Sequence, residues 1–459
     1  AKGGDGLDFS GKRILVVGLA RSGMAAIKAL DKRGAQLSAC DEKEARTLAP
    51  ILDELEKLGI KYYAGGYPEV KRQDFDLLVV SPGVPLETAP IRQAREQGIP
   101  VIGEVELAYI LKPKAVEFLA ISGTNGKTTT TSLLHYILAQ AGRNALAGGN
   151  IGIPLTTLLD SISAGTIVVE LSSFQLESSS SFRPYICGLL NITPDHLNRH
   201  KTMERYIEAK AKIFAQQKPG DYAVFNYEDS ILREMARSCP AQTFFFSSER
   251  ELMEGAFINN GVITIKRAGI IQEIARIDEV SLRGKHNLEN ILAATMMASL
   301  AGVSPEDIRQ ALASFPGVRH RMEELGLYDD VLYVNDSKAT NPEAVMKALD
   351  SFNQPIILIA GGRNKGSSFS QLAGLIKQKV RELVLLGEAR EEIKDAVIDA
   401  GFRNIHEVED LQAAVIKAHE LARKGEVVLL SPACASWDMF ASYEQRGDLF
   451  CEMVKSISG

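Results

Sequence analysis

The chain is predicted to be an α/β protein of three domains, on two observations. Short apolar runs alternate with helical patterns almost from end to end, as they do when strands and crossover helices succeed one another. The length, 459 residues, makes room for about three domains at roughly 100–200 residues each. The pattern breaks at "KPK" (Lys112–Lys114) and again near "FPGVRH", so the expected domains are 1–112, 113–316 and 317–459.

In the first block "KRILVVGLA" reads as a strand, followed by a helix from about Ser22 to Arg33. "AQLSACD" and "FDLLVVSPG" are further strands, and "IPVIGEVELAYIL" closes the block. Gly18 and Gly23 followed by Asp41 resemble a dinucleotide fingerprint and make this domain Rossmann-like. Ala20 stands where a glycine would let a pyrophosphate approach the backbone, so the pattern alone does not establish NAD binding.

The second block opens on the buried strand "AVEFLAISG" and continues as the helix "TTTSLLHYILAQAG", ended by Gly142. "GTIVVELSS" and "YICGLLNITPD" are its next strands. Residues 243–280 are rich in β-branched and aromatic side chains and are expected to form hairpins, a small β region beside a parallel sheet. The helix "HNLENILAATMMASLAG" ends the block, with Gly302 as its C-cap. The third block carries strands "VLYVND", "PIILIAGG", "ELVLLG" and "EVVLLSPACAS" with helices between, and is again Rossmann-like.

Composition narrows the classes of function. The net charge of −6 argues against nucleic-acid binding, which needs a basic face. No apolar run approaches 18 residues, and "AKGGDGLDFSGKR" at the start lacks the apolar core of a signal peptide. The five cysteines (Cys40, Cys187, Cys239, Cys434 and Cys451) are scattered and form no C-x-x-C pair. A reducing, cytoplasmic setting without disulfides or zinc is expected. No interface stripe is visible, so a monomer is the expectation.

One stretch points to chemistry. "GTNGKTT" (Gly123–Thr129) lies between a strand and a helix, like a phosphate-binding loop, but the longer G-x-x-x-x-G-K-[ST] pattern would have glycine where Ile121 stands. The working parts are all present. Gly123 and Gly126 allow a tight turn, the helix N-terminus favours phosphate oxygens, Lys127 reaches the phosphates and Thr128 offers Mg²⁺ a hydroxyl. Glu170 ends the strand "TIVVE", where a carboxylate suits Mg²⁺ but equally a helix cap or the surface. His196 follows another strand, and Lys210 reads by itself as a helix-surface lysine.

Taken together, "GTNGKTT", "VELSSFQLE", "NITPDHLNRH" and "YIEAKAKIF" resemble, in order and spacing, the Mur ligase family of ATP-dependent amide-bond ligases. The resemblance covers the whole chain. "NDSKATN" (Asn335–Asn341) and "SPACASWDMFASYEQRGDLF" (Ser431–Phe450) resemble the branch that adds D-glutamate to UDP-N-acetylmuramoyl-L-alanine, a cytoplasmic step of peptidoglycan precursor synthesis that bears on cell shape and division.

The resemblance implies ATP and two Mg²⁺ sites. It puts Gly123, Thr124, Asn125, Gly126, Lys127, Thr128 and Thr129 at the ATP phosphates, Asn287 and Asn290 near the adenine, Arg321 near the phosphates and Asp336 at the ribose. Thr128, Glu170, His196 and a carbamylated Lys210 become the metal set, and Lys127, His196, Lys210 and Lys338 the catalytic set. Arg21, Ser22, Asp41, Lys43, Ser81 and Gly83 are implied at the UDP end, with Asn150 and Ser173 toward the sugar and peptide. D-Glutamate falls to His196, Lys338, Thr340, Lys365, Ser436, Trp437 and Tyr443. The amine's base is left open between His196, an oxygen of the metal site and a phosphate oxygen.

Three rivals share parts of this pattern. A ligase that extends folate with glutamate would not need a UDP-shaped first domain. An NAD(P)-dependent oxidoreductase built on "VVGLARSG" leaves the phosphate loop unexplained. A non-catalytic ATP-binding regulator needs no acceptor block.

Overall fold

The computed structural model describes residues 8–150, 152–195, 197–282 and 284–457. They form two compact units that divide between Phe315 and Pro316.

The first unit contains two sheets. Strands β1 (Arg13–Val17), β2 (Gln36–Asp41), β3 (Lys61–Ala64), β4 (Leu77–Val80) and β5 (Val101–Gly103) are all parallel, in the order β3-β2-β1-β4-β5. Helices cover both faces, which is why β1 and β4 are near-continuous apolar runs. The order reverses between β1 and β4, and a ligand crevice in such a sheet opens at that point, beyond the carboxyl ends of the strands.

The second sheet holds β6 (Val116–Ser122), β7 (Ala145–Gly149), β8 (Gly165–Glu170), β9 (Ile186–Leu189), β10 (Tyr222–Asn226), β11 (Gln242–Ser247), β12 (Gly255–Asn259), β13 (Val262–Arg267) and β14 (Ile270–Arg276). Its order is β14-β13-β12-β11-β10-β9-β6-β8-β7. The expectation of hairpins over residues 243–280 holds only for its second half. Strands β12 to β14 fold back antiparallel, but β11 and β12 extend the parallel sheet. Phe244 and Phe246 of β11 are buried, and the strand is covered by the helix Lys285–Leu300.

The expected closing run "IPVIGEVELAYIL" divides into β5 and the helix Glu104–Leu111. This helix serves both cores of the unit. Leu107 packs with Ile14, Val16 and Leu30, whereas Val105 and Ala108 pack with Phe118, Val169 and Leu176. Its acidic side chains are buried and fully engaged. Glu104 accepts from the Thr156 N–H (2.7 Å) and hydroxyl (2.8 Å). Glu106 accepts backbone N–H bonds from Ser180 (2.9 Å), Ser181 (2.8 Å) and Phe182 (3.1 Å). The two sheets are therefore bolted together rather than merely linked.

The second unit is one sheet of β15 (Glu323–Tyr328), β16 (Val331–Asn335), β17 (Ile356–Gly361), β18 (Val380–Leu386), β19 (Ile405–Glu407) and β20 (Val427–Ala433), ordered β15-β16-β20-β17-β18-β19. Only β15 runs antiparallel to its neighbour. Strand β17, "IILIAG", is buried throughout. Among the described residues, no helix is long and apolar enough to cross a membrane.

Glu106→Ala removes the acceptor of one buried and two part-buried N–H groups. It is expected to lower the unfolding free energy of the first unit by about 1–3 kcal/mol, since a buried donor left unpaired costs on the order of 1–3 kcal/mol. Urea unfolding followed by tyrosine fluorescence checks this, since the one tryptophan, Trp437, lies in the second unit, and a midpoint equal to the parent chain's refutes it.

Candidate active site

The phosphate loop is built where β6 ends. Ile121, at the position where a longer loop has glycine, is the penultimate residue of β6, fully buried and in register with Glu170 and Gly188. The strand runs on through Ile121 to Ser122, so the turn is made by Gly123 (φ +155°) and Gly126 (φ +83°). Gly126 caps the helix Lys127–Gln140. A Cβ there would lie 2.2 Å from Asn290 Oδ1, so the helix carrying Asn290 packs directly on the loop. Asn290 also accepts from Thr130 and donates to Asn287, and both asparagines are buried.

The crest of the loop is clamped from below. The N–H groups of Thr124 and Asn125 donate to the backbone carbonyl (2.9 Å) and side-chain carbonyl (2.8 Å) of Asn191. Asn191 was not singled out from the sequence, although it opens the "NITPD" stretch that was. Thr128 and Thr129 are buried at the start of the helix.

Two ammonium groups converge on the loop carbonyls. Lys127 Nζ donates to Gly123 O (2.9 Å) and Thr124 O (2.8 Å). Lys210 Nζ donates to the same Gly123 O (2.9 Å) and to Ser122 Oγ (3.3 Å). Lys210 is 1% exposed, so the surface reading of this lysine is overturned. Burial, reinforced by the charge of Lys127, pulls its pKa down to about 7. Tyr206, one helical turn earlier, lies with its ring 4.9 Å from that nitrogen and its hydroxyl 3.0 Å from Thr124 Oγ1. Tyr206 and Lys210 share one helix face at i, i+4 spacing.

Glu170 closes the same strand edge from β8. Its Oε1 accepts from Asn150 Nδ2 (2.8 Å), and its buried Oε2 has no hydrogen-bond partner among the described residues. A buried carboxylate oxygen without a donor suits a hard cation, and Thr128 supplies a further oxygen of the kind Mg²⁺ takes. The donor set therefore fits a magnesium ion. His196, expected beside it, lies outside the described residues.

Ser173 is tied into a buried chain: its Oγ lies 2.9 Å from His200 Nε2, and His200 Nδ1 lies 3.1 Å from Glu177 Oε1. The other Glu177 oxygen accepts from Arg199 (2.9 Å), whose guanidinium also donates to Pro82 O (2.7 Å) and Val84 O (3.3 Å). Arg199 thus holds the "SPG" loop of the first sheet against the second. Neither Arg199 nor His200 was selected from the sequence.

At the switch point of the first sheet, Gly18 (φ +91°) makes the turn and Gly23 lets the helix Arg21–Asp31 approach, since a Cβ there would lie 1.9 Å from Gly18 O. Ala20 is exposed and strains nothing. Asp41 and Ser81 are buried and shape the crevice: Asp41 accepts from the N–H groups of Leu19 (2.7 Å) and Lys43 (3.0 Å), and Ser81 donates to Gly18 O (2.8 Å). Arg21, Lys43 and Gly83 are exposed at the same edge, and Ser22 is half-buried.

In the second unit the expected residues gather beyond the carboxyl ends of the adjacent strands β16, β20 and β17. Asp336 follows β16, accepts from Ser431 Oγ (2.7 Å) and the Met322 N–H (3.2 Å), and is pushed by burial up to about 7. Lys338 and Thr340 are on the same loop, and Lys338 Nζ lies 5.8 Å from the ring centre of Tyr443. Lys365, after β17, is exposed with its Nζ 5.4 Å from the ring centre of Trp437, itself 60% exposed. Ser436 is buried beside it in sequence. Arg321 is half-buried, near the start of the unit.

A phosphate loop at the edge of a parallel sheet, with a buried lysine and an unsatisfied carboxylate beside it, defines a nucleotide-dependent phosphoryl-transfer protein. The chain belongs to the Mur ligase family. Three family models match it in succession: a MurD-like N-terminal domain over residues 12–103, the Mur ligase middle domain over 121–298 and the Mur ligase glutamate ligase domain over 320–434. It is 46% identical to the UDP-N-acetylmuramoylalanine–D-glutamate ligase of Pelotomaculum thermopropionicum, over 98% of this chain and 99% of that one. It is also 46% identical to the ligase of the same name from Clostridioides difficile, over 98% of this chain and all of that one. Its fold is similar to that of the UDP-N-acetylmuramate-alanine ligase MurC of Thermotoga maritima, with a TM-score of 0.57 at 19% identity over 97% of this chain and 100% of that one.

Gly126→Ala places a Cβ at φ +83° against Asn290. The backbone conformation alone costs about 1–2 kcal/mol for an L side chain, so the nucleotide Kd is expected to rise roughly ten-fold or more. Calorimetric titration with a non-hydrolysable ATP analogue measures it, and an unchanged Kd would contradict this account of the loop.

Proposed function

We propose that the chain is an ATP-dependent ligase that joins D-glutamate to UDP-N-acetylmuramoyl-L-alanine, releasing ADP and phosphate in the cytoplasm as a monomer. One observation carries the catalytic half of this reading: a lysine that is 1% exposed, with its pKa pulled to about 7, bonded to the carbonyl that the phosphate-loop lysine also holds. The choice of substrates rests on the two D-glutamate ligases that are 46% identical over nearly the whole chain. Residues 1–112, 113–316 and 317–459 are assigned to the nucleotide sugar, ATP and the amino acid respectively.

A carboxylate is a poor electrophile, and the ATP γ-phosphoryl group converts it to an acyl phosphate. Two anions meet in that step, so cationic groups carry most of the catalysis. Lys127 and the helix N-terminus behind Gly126 hold the phosphates, with Thr129 behind them. In the second unit Arg321 and Lys338 are assigned to phosphate charge and Asp336 to the ribose. Asn287 and Asn290 are assigned to the adenine side. Magnesium would be held by Thr128 and Glu170, with His196 at a second ion, and would supply charge neutralisation.

Near neutral pH the amine of Lys210 is partly unprotonated, so its nitrogen can attack CO₂ and release a proton, giving a carbamate. That exchanges a cation for an anion at the phosphate loop, which is what a divalent ion needs. Lys338, Thr340, Lys365, Ser436, Trp437 and Tyr443 are assigned to D-glutamate, whose amine attacks the acyl carbon and expels phosphate. The UDP end is assigned to Arg21, Ser22, Lys43 and Gly83, with Asp41 and Ser81 shaping the turn and Asn150 and Ser173 toward the peptide.

The deciding experiment is phosphate release with ATP, Mg²⁺ and UDP-N-acetylmuramoyl-L-alanine, comparing D-glutamate with L-glutamate, meso-diaminopimelate and no amino acid. Release that needs both the nucleotide sugar and D-glutamate supports the reading; release with another amino acid moves the substrate. Lys210→Ala should be nearly inactive and partly restored by added short carboxylates; a folded variant that no carboxylate restores counts against the carbamate. Lys365→Ala should raise the KM for D-glutamate by about ten-fold or more, the worth of one charge-assisted hydrogen bond, and leave that for ATP nearly unchanged. Equal rises in both would remove Lys365 from the amino-acid site.

A further inference from the structure

Arg446 lies on the helix Tyr443–Ile457 and is 2% exposed. Among the described residues no carboxylate pairs with it. Its guanidinium is held by neutral oxygens instead: Nε donates to Ser337 Oγ (2.9 Å), Nη2 to Ser337 O (2.8 Å), and both terminal nitrogens to Cys434 O (3.3 Å each). Ser337 Oγ in turn donates to the carbonyl of Tyr443 (2.8 Å). Burial draws the guanidinium down only to about 10, so it keeps its charge at neutral pH.

A buried cation satisfied by one hydroxyl and two carbonyls is a poor device for stability, since apolar side chains of similar volume commonly do as well or better. What a guanidinium offers is a set of N–H donors in a rigid plane. Here they span a gap that the sheet does not. Strands β16 and β20 are paired up to Asn335 and Leu430, and Asp336 makes the last bonds across, to Leu430 and Ser431. Beyond that the two loops separate, one carrying Lys338 and Thr340 and the other Ser436. The second loop begins with Ala433 in the left-handed region (φ +61°), directly before the carbonyl that Arg446 grips.

We infer that Arg446 is a positioning residue for the acceptor amino acid, a strut that fixes the Lys338 loop, the Ser436 loop and Tyr443 at one spacing through Ser337 and Cys434. The inference rests on the assignment of those residues to D-glutamate. It adds a residue that needs no contact with substrate.

The test uses the full chain with Arg446→Lys, Arg446→Gln and Ser337→Ala, reading KM separately for the amino acid, ATP and the nucleotide sugar, together with the thermal midpoint. Arg446→Gln is expected to raise the amino-acid KM by roughly ten-fold or more, with less than about two-fold change for the nucleotide sugar and a smaller rise for ATP, whose phosphates Lys338 also serves. Arg446→Lys should recover part of the loss. Ser337→Ala removes one oxygen from the same node and should shift the same KM in the same direction; it decides the matter if Arg446→Gln does not fold. Folded variants with an unchanged amino-acid KM, or equal rises for all three substrates alongside a lower midpoint, would overturn the inference. If the parent chain uses an amino acid other than D-glutamate, the substrate assignment has failed, and the same KM comparison is made with the amino acid it does use.

Discussion

The first unit is organised around one carbonyl, that of Gly123, which receives both Lys127 and Lys210. Two ammonium groups at one acceptor repel each other, and the arrangement persists only because the surrounding protein over-determines it. Ser122 is anchored by its hydroxyl to Leu171 O while accepting from Lys210. Asn191 holds Thr124 and Asn125, and Asn290 sits against Gly126. The Tyr206 ring faces Lys210 and its hydroxyl touches Thr124. A positive field at a helix N-terminus attracts phosphate. Burial, with the charge of Lys127 adding to it, lowers the proton affinity of Lys210.

That centre depends in turn on how the two sheets of the unit are joined. Glu104 and Glu106 turn the helix Glu104–Leu111 into a shared element by accepting from backbone groups of the second sheet's loops. Arg199 makes the reciprocal contact, from the second sheet to the carbonyls after Ser81. The crevice of the first sheet and the loop of the second are therefore held by ionic groups whose partners are mostly backbone. Such contacts are directional, and they fix orientation where apolar packing alone would fix only proximity.

Legibility in the sequence followed the locality of each feature. Strands buried on both faces announce themselves as apolar runs, so the α/β class and the strands before the loops, such as "RILVV" and "IILIAG", could be read directly. The phosphate loop was legible because its glycines, lysine and threonine are contiguous. Strand β11 was not, because a parallel and an antiparallel neighbour demand the same β-branched and aromatic residues. The burial of Lys210 was invisible for a related reason. A lysine on a helix face looks the same whether the face meets water or a loop, and the loop that covers it lies more than eighty residues earlier, since Ser122 and Lys210 are 88 positions apart. Arg446 and Arg199 were missed likewise, because most of their partners are backbone carbonyls, which carry no residue identity.

The two buried cations, Lys210 and Arg446, show how one physical cost serves opposite ends. Burial lowers the proton affinity of both, to about 7 and about 10. For a primary amine that shift reaches neutral pH and yields a nucleophile; for a guanidinium it falls short and leaves a permanent charge. Exchanging them would cost function in both places, fully at 210 and in part at 446. An arginine at 210 could not shed its proton to react, and a lysine at 446 would present a compact charge where planar donors must reach two separate segments. The identity of each residue is therefore set less by its charge, which they share, than by what burial does to that charge.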